Sequence, residues 1–213
     1  DAAEGTPAQR TIRETVKHHF AVSACILQKD VRIGKIIGFY SVVFAAHTLL
    51  FFYSQQYFAD LGYNKVQISV IMLLVGGASC LGALVSEKMY RWFGKKCLIP
   101  ETVIIAGAIL CYVAGKAGVA IAALMCAGFA NAALYPIQSD SLNALIPSEQ
   151  RATLISVDSM CFSIVMIVLF PLAGALADRW GLKTVLLLLG VILLLFLLTV
   201  FCIEKESFSS DHS

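Results

Sequence analysis

Residues 182–203 read LKTVLLLLGVILLLFLLTVFCI, with one charge, Lys183, near the start. A helix needs about 20 mostly apolar residues to cross the hydrocarbon core of a bilayer, and this stretch supplies them in a single run. Working back toward the amino terminus, five further runs of the same kind cover about 33–53, 66–86, 97–115, 118–142 and 152–177. The third and fourth are separated only by Lys116 and flanking glycines. Together they are too long for one crossing, so they read as a tight helical hairpin. The expected fold class is an all-α integral membrane domain of six transmembrane helices.

Composition agrees. The chain is 59% hydrophobic and 14% charged, against about 25% charged in a typical soluble domain. A soluble globule of this size needs more polar surface, whereas a bilayer does not. A net charge of +2 predicts no nucleic-acid partner, and the first partner implied is the lipid bilayer. The seven cysteines stand singly, without a C-x-x-C pair or zinc spacing, and read as small hydrophobes. No metal or cofactor is expected. Val22-Ser23-Ala24-Cys25 resembles a lipoprotein cleavage box, but the apolar run before it is too short and follows His18 and His19. The chain opens on Asp1, which reads as a fragment or a processed product.

Six crossings put both ends on one side. Twelve of the 16 lysines and arginines then fall on the side of the termini and four, Lys65, Lys116, Arg179 and Lys183, on the other. The positive-inside rule predicts cytoplasmic termini in a multi-pass cell-membrane protein. Residues 1–31 read as a cytoplasmic segment, either an amphipathic surface helix over Arg10 to Gln28 or a disordered end. Residues 32–204 form the six-helix domain and 205–213 a cytoplasmic tail. Within the spans, Gly76, Gly77, Ala78, Ser79 and Gly82 form one small-residue stripe and Ala122, Cys126 and Ala130 another, which let helix backbones approach closely. Pro136 and Pro171 predict bends.

A repeat is legible. Gly82-Ala83-Leu84 leads into Glu87-Lys88, Trp92 and Gly94-Lys95-Lys96; Gly174-Ala175-Leu176 leads into Asp178-Arg179, Trp180-Gly181 and Lys183. The offset from Gly82 to Gly174 is 92 residues, the spacing expected of two three-helix units. The copies fall on opposite membrane faces, as inverted-topology repeats require.

Gly174, Asp178, Arg179, Gly181 and Lys183 resemble the loop signature of the major facilitator superfamily, and Glu87, Lys88, Gly94, Lys95 and Lys96 resemble a looser copy with extra residues inserted. The better match falls on the outer face, whereas the strongest copy in the family usually lies in a cytoplasmic loop; weaker copies follow the eleventh helix of many members. Residues 143–153, NALIPSEQRAT, look like the cytoplasmic link between helices ten and eleven. The resemblance covers about residues 28–203 and implies helices seven to twelve of a twelve-helix transporter. The amino-terminal six-helix half would then be missing or a separate chain.

In that frame a substrate site lies near the midplane between the halves. Tyr40, Phe44, His47 and Phe51 recur at helical spacing in the first span, followed by Gln55, and Asn131, Tyr135 and Gln138 share a face of the fourth. The resemblance gives these two helices cavity-lining roles. The polar members either line a wet pathway or bond between helices. His47 is the one ionisable group well inside a span. Its titration range suits coupling to protons, and the alternative is a hydrogen-bonded packing residue. Glu87, Lys88, Arg91, Asp140 and Arg151, with Asp178 and Arg179 of the signature, are candidate gating charges; the other reading is that they anchor helix ends at the interface. Asp158 stands near the same end as Asp140 and Arg151.

No G-x-S-x-G, H-E-x-x-H or phosphate-binding loop is present, so an enzyme is not expected. The reading is a secondary active transporter working by alternating access on a small molecule. The aromatic stripe with few fixed charges leans toward proton-coupled export of amphipathic or drug-like compounds. The alternatives are uptake of a sugar or other small neutral metabolite, bound by Gln55, Gln56, Asn131 and Gln138, and a membrane assembly subunit without transport.

Overall fold

The computed structural model describes residues 31–93, 98–114, 116–145, 148 and 151–210. Residues 1–30, where the surface helix is expected, lie outside the described residues, as do Gly94, Lys95 and Lys96 of the looser signature copy and four residues of the 143–153 link. The described chain is helical throughout: α1 Val31–Asp60, α2 Lys65–Phe93, α3 Leu98–Ala114, α4 Ala117–Asn143, α5 Arg151–Trp180 and α6 Leu182–Ser210. Five of these helices are long and apolar enough to cross a membrane, and α3 is shorter, with its apolar stretch at Thr102–Tyr112. At 17 residues α3 rises about 26 Å, at the lower end of what spanning requires. The helices outrun the apolar runs because polar ends continue the backbone ladder into the headgroup region. α6 extends through most of the expected tail at 205–213; no Gly or Pro in Glu204–Ser210 stops it.

The link from α1 to α2 shows why the chain turns where it does. Gly62 adopts φ 88°, the left-handed conformation that costs glycine nothing. Its N–H donates to the Ala59 carbonyl at 2.9 Å, and the Tyr63 N–H to the Phe58 carbonyl at 3.0 Å, which closes α1 with a Schellman cap. The accompanying apolar contact is the Phe58–Tyr63 ring pair, 5.6 Å between centroids. α2 then opens with a reciprocal capping box: Gln67 N–H donates to Asn64 Oδ1 and Asn64 N–H to Gln67 Oε1, each at 2.9 Å. Gly181, at φ 83°, performs the turn between α5 and α6 alone.

α4 packs on α1, α2 and α3, while α6 packs on α1, α3 and α5. This pattern has the symmetry of a three-plus-three repeat. α2 lies parallel to α4, and α5 lies parallel to α1, each helix of one triplet embracing the first helix of the other. The glycines of the sequence repeat sit at these crossings. A Cβ on Gly82 would collide with the backbone carbonyl of Phe129, so α2 and α4 touch main chain to main chain. One turn on, Ser86 Oγ donates to the Ala133 carbonyl at 2.9 Å. Gly128 returns the contact, its Cβ position lying 2.8 Å from Ser79 Oγ and 3.1 Å from a Val75 methyl. The second copy is looser. Gly174 faces the Tyr53 hydroxyl at 3.2 Å, and that hydroxyl donates to the Phe170 carbonyl at 3.2 Å.

The main core lies where α1, α2, α3, α4 and α6 meet, around Tyr40, Leu50, Val75, Ile105, Ile109, Tyr112, Leu124 and Leu134. At the face opposite the termini, Tyr57, Phe58, Tyr63 and Tyr112 form an aromatic cluster. Lys183 Nζ stands 5.5 Å over the Tyr57 ring, an arrangement suited to a membrane interface. A second cluster at the terminal end joins Ile33 and Ile37 of α1, Leu142 of α4, and Leu154 and Val157 of α5.

The α2–α4 crossing yields a test. Gly82→Val forces the two backbones apart and is expected to cost about 2–3 kcal/mol, at the upper end of overpacking. Gly107→Ala, in α3 where nothing lies within 4 Å of the added Cβ, is expected to be neutral or mildly stabilising. Thermal unfolding in detergent, followed by loss of the monodisperse gel-filtration peak, measures both.

Candidate functional site

The two stripes expected to line a pathway come together. Ile33 and Ile37 cluster with Leu142, whereas farther along α1 the Phe44 ring lies 6.0 Å from that of Tyr135. α1 and α4 therefore run antiparallel, and steps forward along one match steps backward along the other. Tyr40 and Gln138, one turn from the ring contact toward the termini, fall at one level. His47 and Asn131, one turn in the other direction, fall at another.

Each level has its own character. The Phe44–Tyr135 level continues into the Tyr40 ring of the level below, 5.6 Å from Phe44, and Tyr135, 61% exposed, presents its ring outward. At the upper level His47 Nε2 and Asn131 Oδ1 are buried with no hydrogen-bond partner among the described residues. Each such group left unpaired would cost on the order of 1–3 kcal/mol. Ser41 and Ser141 carry buried hydroxyls in the same condition; sequence periodicity did not single them out, because serine is common in membrane helices as a back-bonding residue. At the lower level Gln138 is 2% exposed and its Nε2 donates to Asp158 Oδ1 of α5 at 2.8 Å. A cleft opens beside this pair between α4 and α5, lined among others by Tyr135, Ser139, Asn143, Ile155 and Ser159. Phe51 is partly buried against the core and Gln55 is exposed, beyond the three levels.

The candidate gating charges are dispersed. Glu87 and Arg91 form a 3.8 Å ion pair with both side chains largely exposed, an arrangement worth about 0–1 kcal/mol. Lys88 Nζ sits 4.8 Å over the Trp92 ring. Asp140, Arg151, Asp178 and Arg179 are exposed. Asp178 and Arg179 end α5 at the face opposite Glu87 and Arg91. The last glycine of the signature has a visible role: Gly181 N–H donates to the Ala177 carbonyl at 2.9 Å while its positive φ releases the chain into α6.

Six packed helices, five of them long and apolar enough to cross a membrane, and repeat symmetry define a multi-pass membrane protein. A family profile described as the Major Facilitator Superfamily matches residues 102–211, just over half of the chain, and the chain belongs to that family. Membership places it among secondary transporters in the general sense. No curated protein and no solved structure matches it.

Unequal stability outcomes are expected at the two lining residues. Gln138→Leu strips the Asp158 carboxyl of its buried donor and is expected to cost about 1–3 kcal/mol. Tyr135→Ala removes a largely exposed ring and is expected to shift stability by less than about 0.5 kcal/mol. Differential scanning fluorimetry of the purified variants measures both.

Proposed function

We propose that the chain is one six-helix half of an alternating-access transporter, with α1 and α4 forming its wall of the central pathway and a second six-helix half facing it. The transporter exports amphipathic, drug-like compounds against an inward flow of protons, with both termini of this chain in the cytoplasm of a cell-membrane protein. The observation that carries the reading is the join of the aromatic seam, Phe44 on Tyr135, to a buried His47 nitrogen without a partner among the described residues. The seam offers an apolar body a surface of planar rings, and the imidazole offers a nitrogen that can take up and release a proton. Asn131, at the level of His47, supplies the polar contact that fixes ligand orientation.

The faces of α2 and α5 support a facing half. Leu73, Leu81 and Leu84 on α2, and Ile164, Ile167 and Leu172 on α5, are exposed, as expected of helices that meet lipid or another helical bundle. Rocking of the halves would close the pathway at either membrane face, with Glu87, Lys88, Arg91, Asp140 and Arg151 at one gate and Asp178 and Arg179 at the other. Sugar uptake draws less support: the Gln138 amide nitrogen is committed to Asp158 and Gln55 lies away from the seam, which leaves few of the donors and acceptors a polyhydroxyl ligand requires.

Proteoliposomes carrying the complete transporter, loaded with a fluorescent amphipathic dye and given an imposed pH gradient, test the proposal. Gradient-driven dye movement is expected, slowed at least about tenfold in His47→Ala, the lower end of what a positioned proton-transfer group contributes. Dye movement indifferent to the gradient would overturn proton coupling. No movement of dye, with accumulation of tritiated sugar, would overturn export.

A further inference from the structure

We propose that Asp158 is the anchor for a positively charged headgroup, so that the compounds taken by this pathway are monovalent organic cations with an apolar body. The inference rests on the α1–α4 seam being the substrate pathway and specifies the chemistry that enters it.

Asp158 lies two turns into α5, about 10 Å along the axis from Arg151, inside a helix long and apolar enough to span a membrane. Acidic groups at such positions are costly, so they face a cavity, pair with a counter-charge or bind a ligand. The first condition is met, because Asp158 lines the α4–α5 cleft. The second is not: among the described residues no lysine, arginine or histidine forms an ion pair with it. Its contact is the Gln138 amide, Nε2 donating to Oδ1 at 2.8 Å. A neutral donor orients a carboxylate without cancelling its charge. Gln138 is itself buried, so the carboxylate is held from the protein side and left open on the cleft side. A ligand cation would complete the pairing.

The rest of the cleft narrows the class. Ser139, Asn143 and Ser159 provide neutral polar groups around the carboxylate, and the outward-facing Tyr135 ring borders the same space. An aromatic face beside a carboxylate suits an ammonium or phosphonium group, through cation–π attraction together with charge pairing. Tyr135 is also the ring that meets Phe44, so the apolar body of a ligand anchored at Asp158 would continue along the aromatic seam toward His47. A divalent metal ion is a poor fit. It needs several oxygen ligands, and the described residues contain no cluster of His, Cys, Asp and Glu able to hold one.

Binding of radiolabelled tetraphenylphosphonium to the complete transporter in lipid nanodiscs, beside binding of the neutral dye Nile red, tests the proposal. The wild type is expected to bind both saturably. Asp158→Asn keeps an acceptor for Gln138, and so the fold, as its unfolding temperature would verify. It is expected to weaken phosphonium binding at least about tenfold, the scale of a charge-assisted contact, and to leave Nile red unchanged. Asp158→Glu is expected to restore most of the loss, and Asp60→Asn, at the far membrane face, to have no effect. Equal phosphonium binding by Asp158→Asn and wild type would overturn the anchor, as would equal loss of both ligands. Saturable phosphonium binding without pH-driven dye movement would sink export and leave the anchor standing. Movement of the neutral dye with no phosphonium binding would do the reverse.

Discussion

Lipid tails are as apolar as leucine, so nothing comparable to the hydrophobic effect presses membrane helices together; they hold by close van der Waals contact and a few hydrogen bonds. In this chain the requirement is met most stringently where Gly82 of α2 meets the Phe129 backbone of α4. Val75, Ser79 and Gly128 fit the same crossing from both sides, and Ser86 adds a bond to the Ala133 carbonyl. α4 is fixed by this contact, and α4 in turn carries one side of the seam: Asn131, Tyr135 and Gln138. Displacing it would part Tyr135 from Phe44 and Gln138 from Asp158 without touching any of those residues.

The repeat explains how one sequence unit serves twice with different tightness. Both copies place a glycine where a helix crosses the first helix of the other triplet. At Gly82 the missing side chain admits a carbonyl group; at Gly174 it admits a tyrosine hydroxyl bonded to Phe170. The α2–α4 crossing is therefore closed by backbone contact, whereas the α1–α5 crossing is filled by a side chain and a single hydrogen bond. The second interface is the less tightly closed of the two, and its helix α5 also lines the cleft that holds Asp158.

The seam is graded along the membrane normal. Near the terminal face it carries an oriented carboxylate, in the middle a run of aromatic rings, and above them a buried imidazole nitrogen and amide oxygen with no hydrogen-bond partner among the described residues. This order follows from the antiparallel pairing of α1 and α4, which sets residues far apart in sequence at matching depths. The surface charges belong to a different layer. Glu87 with Arg91 and Lys88 with Trp92 are local pairs on an exposed helix end, and Asp178 with Arg179 stand at the other face.

The sequence by itself determined the membrane class, the six helices and their approximate limits, the repeat, and the two stripes that prove to be neighbours. Those follow from local quantities: the length of apolar runs, glycine where the backbone must turn or approach, and polar residues recurring at a period of 3.6. Asp158 was visible as an acid near a helix end, yet nothing in the spacing joined it to Gln138, 20 residues earlier. Nor did the period separate a seam residue such as Tyr135 from one turned to the core such as Phe51. The Schellman cap at Gly62 and the reciprocal bonds of Asn64 and Gln67 are written in local residues and follow recognisable cap patterns. What only the tertiary structure decided was which faces meet, at what depth, and which buried polar atoms lack partners. These depend on how three-dimensional crossings align residues from separate helices, and a periodicity fixes a face without fixing what that face opposes.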